Sequence, residues 1–109
     1  MEENLYRQAE DALIKVAAAV PRQEAVDLTE ITNLAGPLVE SIQATDQLVV
    51  EALSSPSGPP LVTNLVNVGI LATKVGIGLG YYGAELRRLA LAGLLHDIGI
   101  MVSMQAWLP

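Results

Sequence analysis

Residues 61–79 constrain this chain more than any other stretch. Apolar side chains recur there at intervals of three and four along two stripes: Leu61, Leu65, Val68, Ala72, Val75 and Leu79, then Val62, Val66, Ile70, Thr73 and Ile77. What remains is a narrow polar line of Asn64, Asn67 and Lys74, again at helical spacing. A helix that is apolar almost all the way round must be surrounded by other elements. The stretch therefore predicts an all-α helical bundle with this helix at its centre and its polar line facing something particular. The same run is long enough to cross a bilayer, but Lys74 would then lie in lipid, at about 2.5–3.5 kcal/mol for the charge alone. The reading taken is a core helix with no membrane partner.

The preceding residues supply the neighbours. Leu5, Ala9, Ala12, Leu13, Val16 and Val20 give a helix over residues 2–20, ended by Pro21. Asp27-Leu28-Thr29-Glu30 has the form of a capping box opening a second helix. Gly36-Pro37 is expected to kink or split that helix, with Leu38, Val39 and Ile42 continuing its apolar face. Thr45 or Asp46 can cap a short third helix through Leu53, with Leu48, Val49 and Ala52 inward. Residues 54–60, Ser-Ser-Pro-Ser-Gly-Pro-Pro, form the one clear linker. It divides an N-terminal helical region, residues 1–53, from residues 61–109, within what is expected to be one compact unit.

After residue 79 comes a turn over residues 80–83, then a last helix from Ala84 whose packing face is Leu86, Leu89, Ala90, Gly93 and Leu94. His96 and Asp97 fall on its final turn, and Gly99 is placed to end it. Gly78-Leu79-Gly80-Tyr81-Tyr82-Gly83 matches the dinucleotide pattern GxGxxG, with Asp97 beyond it. That motif works only after a β-strand, and the residues before it have helical period.

Charge narrows the functions. The 109 residues carry a net charge of −6 with six basic side chains in all, too few for a phosphate-binding patch, so no nucleic acid is expected. There is no cysteine, which removes disulfides and thiolate metal sites and makes a reducing cytoplasm the expected compartment. The N-terminus is acidic where a signal peptide would be basic. Residues 1–60 carry ten acidic and three basic side chains, whereas residues 61–109 carry five charges among 49 residues. Such a half needs covering, by a homo-oligomer, by a partner protein or by the N-terminal helices folding back over it.

One pair remains for chemistry. His96 is the only histidine, and Asp97 follows it. An imidazole nitrogen and a carboxylate oxygen suit Mn, Fe or Zn better than Ca. The alternative is a helix-end histidine bonded to backbone and favoured by the negative end of the helix dipole.

Residues 85–99, Glu-Leu-Arg-Arg-Leu-Ala-Leu-Ala-Gly-Leu-Leu-His-Asp-Ile-Gly, resemble the signature segment of the HD superfamily of metal-dependent phosphohydrolases. The nearest likeness is to the HD-GYP branch, which hydrolyses cyclic di-GMP. In that family a first metal-binding His lies 32 residues before the His-Asp pair, and here Asn64 occupies that register, in Asn-Leu-Val-Asn-Val-Gly. The resemblance implies a partial HD-like helical core over residues 61–99 and makes His96 and Asp97 remnant metal ligands. It also implies a divalent ion, Mn, Fe, Mg or Zn, held weakly at most. Three departures matter. Asn64 offers an amide in place of the first imidazole; Ile100 stands where the family has a Lys; and the GYP segment and later ligands have no counterpart in the sequence. The function so implied is a degenerate HD-like binding or oligomerisation module. The alternative is a phosphohydrolase completed by another chain or a longer product.

Overall fold

Apolar periodicity and local capping produce five α-helices and no strand among the residues described by the computed structural model: 4–20, 22, 25–54 and 60–98. They are α1 (Leu5–Ala19), α2 (Thr29–Ala44), α3 (Gln47–Leu53), α4 (Pro60–Gly78) and α5 (Ala84–Leu95). The chain is an all-α bundle.

The starts of the helices show local chemistry at work. Asn4 Oδ1 accepts the Arg7 amide at 3.1 Å, so α1 begins at Leu5 with an asparagine cap, later than residue 2. At α2 the expected capping box does not form. Asp27 Oδ1 accepts the Thr29 amide at 2.9 Å, but Glu30 reaches out to Lys15 Nζ at 3.3 Å and does not fold back. Thr45 Oγ1 accepts the Gln47 amide at 3.3 Å ahead of α3. Pro60 occupies the first position of α4, where a missing N–H costs nothing.

The Thr29 hydrogen bonds hold the Asp27 carboxyl below the ordinary aspartate range. Its folded-state pKa is thus lower than its unfolded one, so the stabilisation is present above the ordinary range and lost as pH falls through the folded value. Asp27→Asn is expected to flatten the acid limb of the melting-temperature profile below about pH 4. Identical acid limbs for the two proteins would remove the assignment.

Gly36-Pro37 does not divide α2, which runs unbroken for 16 residues with Pro37 inside it. Pro37 forfeits one backbone hydrogen bond to Asn33, but Ala35, Leu38, Val39 and Ile42 are all buried and anchor the helix on both sides of the proline.

The core does not respect the linker. Tyr6, Ala9 and Leu13 of α1, Ile31, Leu38 and Ile42 of α2 and Leu48 of α3 join Val62, Leu65, Val66 and Ile70 of α4 and Leu94 of α5 in one cluster. The N-terminal helices therefore cover the inner face of α4. The stripe that holds Leu65 is covered only in its middle, since Leu61, Val75 and Leu79 towards its ends are exposed. Residues 61–78 qualify by length and composition as a membrane span, with 44% of that window buried inside the bundle.

Two of the three residues on the polar line of α4 have defined partners. Asn67 Oδ1 accepts the Tyr6 hydroxyl at 2.6 Å, and Lys74 Nζ reaches Asp46 Oδ1 at 2.9 Å. One turn before Asn67, buried Thr63 donates to Oε2 of buried Glu10 at 3.0 Å. Every fully buried side-chain polar atom among the described residues is hydrogen-bonded.

Candidate functional site

The site residues sit where α5 ends against α4. These two helices pack antiparallel and more extensively than any other pair. Two glycines allow it: a Cβ on Gly93 would stand 2.7 Å from Gly69 Cα, so the backbones touch. Further along, Gly76 lies opposite Leu86 and Leu89. α4 itself ends in a Schellman arrangement, with Tyr81 N–H bonded to Gly76 O, Gly80 N–H to Ile77 O, and Gly80 at φ 92°. The GxGxxG match is therefore a helix–turn–helix connection preceded by α4, and no strand leads into it.

α5 stops at Leu95, and His96 is its C-terminal cap, four residues earlier than the expected end at Gly99, which lies outside the described residues. His96 Nδ1 is 2.7 Å from Gly93 O. A carbonyl only accepts, so Nδ1 carries the proton and donates it. The helix-end reading of the histidine is thereby realised, since one of the orphan carbonyls of α5 is satisfied.

The other ring nitrogen is not used by the helix. Nε2 lies 3.2 Å from Asp97 Oδ2, with the His96 and Asp97 side chains 38% and 24% exposed. With Nδ1–H fixed on the carbonyl, neutral His96 presents a lone pair towards a carboxylate oxygen. Nε2 and the carboxylate oxygen thus face each other at the end of α5. The imidazole held by a backbone carbonyl on its far nitrogen is the usual outer-shell arrangement of a metal-binding histidine.

The structure thus brings together two of the four residues singled out from the sequence. Extending the α4–α5 register five residues back from Gly69 sets Asn64 level with residues 97–98. Its side chain is exposed and makes no hydrogen bond among the described residues. Ile100 lies outside them. No group of three His, Cys, Asp or Glu side chains arranged for a metal occurs among the described residues. An imidazole nitrogen and a carboxylate oxygen are chemically suited to a divalent cation, and His96 and Asp97 are the residues that would hold one. The backbone partner expected of a helix-end histidine is the Gly93 carbonyl, three residues back on α5.

Compared with protein-family models, curated proteins and solved structures, the chain gives no match. The resemblance to the HD superfamily thus rests on residues 61–99 themselves, chiefly His96, Asp97 and the register to Asn64.

Proposed function

We propose that the chain is a helical binding and oligomerisation module on a partial HD-like core, without phosphohydrolase activity of its own. The observation that carries the reading is the apolar surface left after the N-terminal helices have covered α4. Val75, Leu79 and Tyr82, along the end of α4 and the following turn, are 62%, 69% and 75% exposed. Large apolar side chains exposed in succession mark a surface that associates.

Sedimentation equilibrium at micromolar concentration tests it. A dimer or larger assembly is expected, with Val75→Glu plus Leu79→Glu shifting it towards monomer at unchanged helicity; a wild-type monomer would sink the proposal.

The convergence of Nε2 and Oδ2 favours one second reading, a metal-dependent phosphohydrolase of the cyclic di-GMP phosphodiesterase type completed by donors from another chain. A divalent ion at the pair would polarise a phosphate and acidify a bound water. This chain's own contribution is His96, oriented by the Gly93 carbonyl, and the Asp97 carboxylate. Protein purified without chelator should, on this reading, carry close to one equivalent of Mn, Fe, Mg or Zn, and added metal should raise its melting temperature. On the module reading the metal content stays below a tenth of an equivalent, and replacing both residues by Asn leaves the melting temperature indifferent to metal.

A further inference from the structure

A groove lies away from His96, on the far side of α2. It is bounded by the start of α1, the second half of α2 and by α3, and encloses about 790 Å³. Its size is that of a small-molecule site. The floor is apolar, with Leu5, Leu34 and Leu48, while Glu40 and Glu51 bring carboxylates to the wall. No Lys, Arg or His is among the lining residues, and neither carboxylate has an ion pair or hydrogen bond among the described residues.

The negative field is felt by a neighbour. Burial, then the carboxylates of Glu10 and Glu51, pushes the Tyr6 hydroxyl above its ordinary range. The groove itself is made possible by the continuity of α2: Leu34, Pro37, Glu40, Ser41 and Ala44 recur on one side of an unbroken helix, opposite the core positions Ala35, Leu38, Val39 and Ile42.

The geometry points to a binding site for an amphiphilic organic cation, one or two ammonium groups on an alkyl or aryl body, seated between α1, α2 and α3. The apolar floor takes the body and the two unpaired carboxylates take the charge. An anion would meet two carboxylates and only uncharged donors such as Ser41, Thr45 and Gln47, and a wholly apolar ligand leaves both carboxylates without a counter-charge. The charge complementarity that selects a cation is therefore local to the groove and goes beyond the net −6 of the chain.

Titration of the folded protein with hexamethylenediamine, followed by the amide resonances of Ser41, Thr45 and Gln47, tests this. Saturable shifts are expected. Hexanediol, with the body but no charge, and ethylenediamine, with the charge but little body, should each bind at least about tenfold more weakly. Glu40→Gln with Glu51→Gln should weaken the diamine by a similar factor at an unchanged melting temperature, while Glu85→Gln on α5 leaves it unaltered. Equal binding of hexanediol, shifts that never saturate, or full affinity in the double variant would each overturn the site. The wild-type comparison of the three probes requires no substitution to fold.

Discussion

Leu65→Ala is expected to be among the most damaging single substitutions in this chain, lowering stability by about 2–5 kcal/mol and the melting temperature by roughly 10–25 °C. Leu65 is fully buried at the middle of the cluster that joins all five helices. Removing the isopropyl group beyond its Cβ leaves a void that helices anchored on several sides cannot collapse into. Against a domain stability of about 5–15 kcal/mol, that is a substantial part of the whole. Leu53→Ala provides the contrast: its side chain is 72% exposed, and the change should stay within about 0.5 kcal/mol. Thermal melts followed by circular dichroism decide the matter, and equal losses at the two positions would mean that α4 is not the centre of the core.

Gly93→Ala comes next. The new methyl would meet Gly69 Cα at 2.7 Å, Gly69 N at 3.2 Å and Val68 O at 3.3 Å, all backbone atoms that cannot rotate aside. Overpacking of this kind costs about 1–3 kcal/mol or more, against a gain of roughly 1 kcal/mol in helix propensity. A net loss is expected, growing with side-chain size through Gly93→Val. Gly78→Ala should do the opposite: nothing lies within 4 Å of its would-be Cβ, its φ is not positive, and about 0.4–1 kcal/mol of stabilisation is expected from a stiffer unfolded chain. Denaturant unfolding of the three variants measures all of this, and a stabilised Gly93→Ala would contradict the close α4–α5 crossing.

Much of the bundle is legible in the sequence because apolar period dominates where helices are long. Residues 61–79 announce α4 to within a residue at each end, and the turn at residues 80–83 follows from its glycines. Pro37 misleads because a local rule about proline is weaker here than the burial of Leu38, Val39 and Ile42 beyond it. Glu30 misleads because a capping box competes with a lysine brought close only by the fold. At the candidate site, adjacency alone says little: neighbouring residues within a helix point about 100° apart. His96 and Asp97 meet at the very end of α5, where the imidazole also bonds back to Gly93. The groove beside α2 is invisible in one dimension, since its walls come from three helices whose mutual placement no spacing reveals.

The two polar contacts of α4 do something that burial of its apolar stripes cannot. A cylinder greasy on most sides fits its sleeve almost equally well after a rotation, or after sliding by one turn of 5.4 Å. Tyr6 on Asn67 and Asp46 on Lys74 are seven residues apart along that cylinder and come from opposite ends of the N-terminal region. They act as a pair of indexing pins: either slip carries Asn67 away from the Tyr6 hydroxyl and Lys74 away from Asp46. The free energy they add is small, yet they select one alignment among several of similar hydrophobic content. The close seating of Gly93 on Gly69, where α5 crosses α4, belongs to that one alignment.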